Sequence, residues 1–199
     1  MRYSARVKTG LCAAAAAIFV GSAVGGCRHS SPPEPDVAVS STVGLPNGSP
    51  TDVTFLQHMV LNHQQTLDLA ALIPGRSTNS AVVAFAERNV IQQRSELQGF
   101  QAQLLQWELP EGMPAGGDPA AHVPGMVDKA TLDKLNGLRG PEFDALWVRS
   151  MIKLCQGAIL MAQHQIDHGQ SPEAISIART LLPLEQSEIE QLQRLSGAP

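Results

Sequence analysis

The chain is poor in the residues that make most functions easy to read. It holds three cysteines in 199 residues, 4% aromatic and 16% charged side chains. So few cysteines exclude a disulfide-stapled fold or a cysteine-rich zinc scaffold. Basic residues are also scarce, 14 Lys and Arg against 18 Asp and Glu, which excludes a nucleic-acid surface by charge. No His-Glu-x-x-His, Gly-x-Ser-x-Gly or phosphate loop occurs, and no Glu-x-x-His of the kind a di-iron bundle requires. No enzymatic activity is therefore expected.

What is present begins with a short leader. Met1 to Lys8 carries three positive charges and no acid, and an apolar run from Leu11 to Val20 follows. The run is shorter than the roughly 20 residues of a bilayer span and ends in small residues, the pattern of a secretory signal. Val24-Gly25-Gly26-Cys27 then resembles the bacterial lipobox, in which the cysteine is diacylated and becomes the mature N-terminus. The expected organisation is a signal peptide over 1–26, a lipidated Cys27 with a Ser/Pro/Gly-rich tether over 27–50, and one domain over 51–199. This places the protein on the extracytoplasmic face of the cell membrane, attached through lipid. Loss of Arg2, Arg6 and Lys8 leaves 11 basic against 18 acidic side chains in the mature chain. Cys155 is then the one thiol left over, either buried and inert or a soft ligand or redox site.

The domain repeats itself. With an offset of 92 positions and no gap, Asp52 falls on Asp144, Met59 on Met151, Gln64 on Gln156, Ala70 on Ala162, Ala86 on Ala178 and Glu96 on Glu188. Each half reads as a helical hairpin. The first helix is capped at Thr51 or Asp52, carries Phe55, Leu56, Met59, Val60 and Leu67 at helical spacing, and ends at Pro74-Gly75. The second starts within Ser77 to Ser80 and runs to about Trp107. In the other half, helices are expected from Gly140-Pro141 to Gly169 and from Ser171-Pro172 onward, where Pro183 should introduce a kink. A Pro/Gly-studded connector, Leu109 to Pro124, and a short helix over Asp128 to Leu138 separate the halves. The expected fold is all-α, a four-helix bundle made of two repeated hairpins.

The segments Phe55-Leu56-Gln57-His58-Met59-Val60-Leu61-Asn62-His63 and Phe143 to Ile152 resemble the family called domain of unknown function 305. Supporting positions include Ala86, Gln93, Glu96, Pro124-Gly125-Met126, Gly140, Met161, Ala162 and Glu188. The resemblance implies a ferritin-like bundle over about residues 52–195, with an association with copper in some members. The family's repeated motif reads Met-Ile-x-His-His. Here the His-His positions hold Asn62-His63 and Leu154-Cys155, so one of four family histidines survives, and Glu185 stands at a family glutamine position.

Met59 and His63 lie four residues apart, as do Met151 and Cys155, so each pair projects from one helical face. If the hairpins pair with pseudo-twofold symmetry, these four side chains form a soft site suited to Cu(I). Otherwise the sulfur residues fill the core and His63 is a hydrogen-bonded core histidine. Met161, His164 and His168 form a weaker candidate, at spacings of three and four, and the polar residues around them favour exposed histidines near a helix C-terminus. His58 points away from the His63 stripe. Gln93, Glu96, Glu185 and Glu188 occupy matched places on the second helix of each hairpin, where they could orient a ligand from behind. Met113 and Met126 sit in the connector. Two functions follow as expectations: a non-enzymatic envelope binder or buffer of copper, or a bundle whose metal site has decayed and which binds an envelope protein or a small molecule.

Overall fold

The computed structural model describes residues 48–107 and 123–196, and its regular elements there are five helices with no strand. The leader, Cys27, the tether up to residue 47 and Met113 lie outside the described residues. The helices are α1 (Pro50–Ala71), α2 (Ser80–Gln106), α3 (Lys129–Gly137), α4 (Gly140–His168) and α5 (Pro172–Leu195). All five fall where periodicity and Gly/Pro punctuation place them. α5 runs through Pro183 as one element.

The start of α1 differs from expectation. Its cap is Ser49, because Pro50 takes the first helical position and Asp52 becomes the acid of a capping box, accepting from the Ser49 amide at 2.8 Å. Asn79, Asp128 and Ser171 cap α2, α3 and α5 through their side chains. These caps satisfy amides that the first turn leaves without intrahelical partners.

α1 packs on α2, α4 on α5, and α1 on α4. Between α1 and α4, Gln165 reaches Asp52, the Asn62 amide donates to the Leu154 carbonyl at 3.1 Å, and the Trp147 indole donates to the Leu69 carbonyl at 2.8 Å. One number rises as the other falls, so α1 and α4 run antiparallel. Asn62 and Leu154 are themselves 92 positions apart. Repeat-equivalent residues thus meet where the helices cross, as a pseudo-twofold axis requires.

The apolar core divides at that crossing. One cluster contains Leu69, Phe85, Leu135, Phe143, Trp147, Met151 and Leu192, and the other Phe55, Leu56, Met59, Phe100, Met161 and Leu181. α4 is apolar and long enough to cross a membrane by length and composition, but more than half of that stretch is buried in these clusters. Between them three of the long helices turn polar, with Asn62, His63 and Thr66 on α1, Asn89 and Gln93 on α2, and Glu185 and Glu188 on α5, all buried, and α4 adds the buried Cys155. A polar layer of this depth costs folding energy unless its groups are hydrogen-bonded, neutral or holding a cation.

The end of the connector is pinned onto α1 and α4. The Gln65 side chain accepts from the Val127 amide at 2.7 Å and donates to its carbonyl at 3.0 Å. Gly125 adopts φ +78°, and a Cβ on Gly157 would stand 2.7 Å from the Gly125 Cα and closer to the Pro124 carbonyl. Backbone lies on backbone here, with no room for a methyl group. Gly157→Ala is expected to cost about 1–3 kcal/mol through overpacking, read as a fall in urea midpoint at unchanged slope.

Candidate metal centre in the polar layer

The polar layer brings together side chains from all four long helices. On the first hairpin His63, fully buried, places Nε2 2.9 Å from the Glu96 carboxylate. Its ring meets Phe100 edge-on with centroids 4.9 Å apart, which fixes its orientation. The other ring nitrogen, Nδ1, is buried without a hydrogen-bond partner. A carboxylate behind one imidazole nitrogen and a free second nitrogen is the arrangement of metal-ligating histidines.

The second hairpin repeats the spacing with different chemistry. Cys155 Sγ lies 3.8 Å from Glu188 Oε2. Both pairs, His63–Glu96 and Cys155–Glu188, are separated by 33 positions, so the thiol occupies the place of the imidazole. Glu185 completes a group in which one donor atom each from Cys155, Glu185 and Glu188 lies within 4.8 Å of the others, all three residues buried. Asn89, on α2, donates to Glu188 at 2.9 Å and so ties α2 to α5 across the layer.

Burial, then the neighbouring Glu188 carboxylate, pushes Glu185 well above the usual carboxylate range. Glu188 is raised to about 7, by burial first and by Glu96 second. The Cys155 thiol is pushed up by burial and by both glutamates. The group thus folds as proton-bearing acids that a cation could displace. Gln93, at the position equivalent to Glu185, leaves its buried Oε1 without a partner in the same layer.

The residues expected at the site are distributed unevenly. His63, Cys155, Glu96, Glu185, Glu188 and Gln93 all lie in the polar layer. Met59 and Met151, both fully buried, fall in separate apolar clusters, Met151 in the one that also takes in Cys155. Each precedes the crossing at Asn62/Leu154 by three residues, and in antiparallel helices that displaces them in opposite directions, by about 9 Å in total along the axis. Glu185 and Glu188, expected behind the ligands, instead stand among the donor atoms, while Glu96 lies behind His63. The signal that locates them is the shared separation of 33 positions. Met161, His164 and His168 lie elsewhere, towards the far end of α4.

Comparison with known proteins shows the family and the fold. Residues 52–196 match the family described as domain of unknown function (DUF305). No curated protein matches the chain. Among solved structures, a DUF305 fragment from Deinococcus radiodurans is 31% identical, with a TM-score of 0.68, covering 76% of this chain and 99% of that one. A proposed secreted protein of the same family from Streptomyces coelicolor is 22% identical, with a TM-score of 0.66, covering 74% and 93%. CopM in its Cu(II)-bound form is 22% identical, with a TM-score of 0.59, covering 73% and 95%. At such identity the last two show a shared fold.

Proposed function

This chain belongs to the DUF305 family, and from its polar layer we propose that it is a non-enzymatic metal-binding protein, with copper as the ion, held outside the cell membrane through lipid on Cys27. Its four long helices then form the ferritin-like bundle of two hairpins, with the ion held where the hairpins cross. The observation that carries the reading is the buried group Cys155, Glu185 and Glu188, with His63 on the neighbouring hairpin offering a buried Nδ1 that has no partner. One thiolate, one imidazole and carboxylates make a borderline donor set rather than a thioether-rich one, and among divalent ions such sites favour Cu(II). The copper-bound forms of CopM support the choice of metal, and the proposed secretion of the streptomycete relative supports the location.

The test is titration of the full chain with Cu(II) against a competing chelator, together with Co(II), whose thiolate charge-transfer absorption reports Cys155. Cys155→Ser combined with Glu188→Gln should weaken binding by about 100-fold or more and abolish that absorption. Affinity in the wild type should fall as pH drops through about 7, because protons on Glu188 compete with the ion. Unchanged affinity in the double variant would sink the centre.

A second reading, a bundle that binds an envelope partner or a small molecule, is favoured by an apolar groove of about 510 Å³. Ile73, Pro74, Val83 and Val90 line it. Failure to bind metal at all would leave this reading standing.

A further inference from the structure

Thioether and imidazole donors do occur together in this fold, away from the polar layer. A groove of about 490 Å³ opens where the N-terminal half of α1 meets the C-terminal half of α4, and His58, Met161 and His164 all line it. Met161 and His164 are three residues apart on α4 and so share a face. His58 comes from α1, on the opposite wall. By sequence it is excluded from the His63 stripe, and its direction away from that stripe is what brings it here.

Three features set the chemistry of the groove. Met161 is 6% exposed, which puts its thioether on a nearly dry floor, while His164 is exposed at the rim. His164 is also braced: His168 stacks on it with centroids 4.5 Å apart and places Nδ1 3.1 Å from the His164 carbonyl oxygen. Finally, none of the lining residues is charged, the remainder including Phe55, Pro124 and Leu160. A hard divalent ion would find no carboxylate there. A soft monovalent ion needs little charge compensation and prefers sulfur and imidazole nitrogen.

We propose that this groove is a second metal site, separate from the polar layer, in which His58, Met161 and His164 bind Cu(I) or its redox-inert analogue Ag(I). It goes beyond the buried centre and does not depend on it. The two sites divide by donor set: carboxylate, thiolate and imidazole in the interior for a divalent ion, thioether and imidazole at the surface for a monovalent one.

The probe is Ag(I), added to the full chain carrying Cys155→Ser and labelled with carbon-13 at the methionine methyl groups. The Met161 signal is assigned by its loss in Met161→Leu, a swap that keeps side-chain volume. It is expected to shift as silver is added, and His58→Ala or His164→Ala should each raise the free silver needed for half the shift by at least tenfold. A Met161 signal that stays still while silver binds elsewhere overturns the proposal, as does half-saturation unchanged in both histidine variants. Loss of the Cu(II) centre with the Met161 shift intact would count against the buried site alone.

Discussion

An Asp52→Ala chain is expected to melt about 10 °C or more below the wild type. Asp52 is fully buried, and its two oxygens accept from five donors: the Ser49 amide and hydroxyl, the Gln165 side chain, and the amides of Gln170 and Ser171. One carboxylate therefore joins the start of α1, the end of α4 and the turn into α5. Removing it strands several buried donors together, at about 3–5 kcal/mol, and at about 2–4 °C per kcal/mol for a domain of this size the shift in Tm follows. Burial alone would raise the Asp52 pKa, but the bonds from Ser49, Gln165 and Ser171 outweigh it and hold the group below its ordinary 3.8. A lowered pKa stabilises the fold above the unfolded value. That contribution is lost as pH falls below 3.8 and through the folded value. Scanning calorimetry of both chains at pH 7 and pH 3 reads this directly: the gap between them should narrow in acid, and a gap independent of pH would contradict the hub.

Asp52 also shows where the repeat stops being a symmetry. Its equivalent, Asp144, has a buried Oδ1 with no partner. The position 92 before Gln165 is Ile73, which cannot donate. The duplication is thus legible as a pattern of helices and apolar faces, while the hydrogen bonds that close the two ends have diverged.

The same division governs what could be read without coordinates. Helix positions were legible because apolar spacing, prolines and glycines act locally. The Ser49 cap was not, since Pro50 moves the helix start ahead of the first conspicuous acid. At the candidate site, the offset of the repeat identifies His63 and Cys155 as partners in place. Spacing within one helix could not show that the thioethers of Met59 and Met151 leave the crossing in opposite directions. Nor could it show that Glu185 and Glu188 close on Cys155 from α5, because which face of a hairpin meets its neighbour is decided by packing. His58 and Met161 reach one groove for the same reason, from helices about a hundred residues apart in the chain.

The polar layer yields the other large effect, opposite in sign. Glu188→Gln is expected to stabilise the metal-free protein. A carboxyl group held at about 7 in the folded chain and at its ordinary 4.5 when unfolded withholds about 3 kcal/mol of stability above pH 7. The sign follows from proton binding: over that interval the folded state holds the proton longer, so stability is greatest below 4.5 and is lost as pH rises through about 7. Glutamine imitates the protonated acid and keeps an oxygen for the Asn89 amide, now 2.9 Å from Glu188 Oε2. The gain should reach about 3 kcal/mol at pH 8, raising Tm by about 6–10 °C, and shrink to about 1 kcal/mol at pH 5. Asp52 acts in the opposite sense, since its contribution requires pH above its own lowered value. Added Cu(II) should reverse the ranking at pH 8, because the wild-type carboxylate gains a cation that glutamine cannot match. A group that weakens the empty fold and strengthens the loaded one is what a binding site costs. If Glu188→Gln were no more stable than wild type at pH 8 without metal, or if copper stabilised both chains equally, Glu188 would be a structural residue and the metal would lie elsewhere.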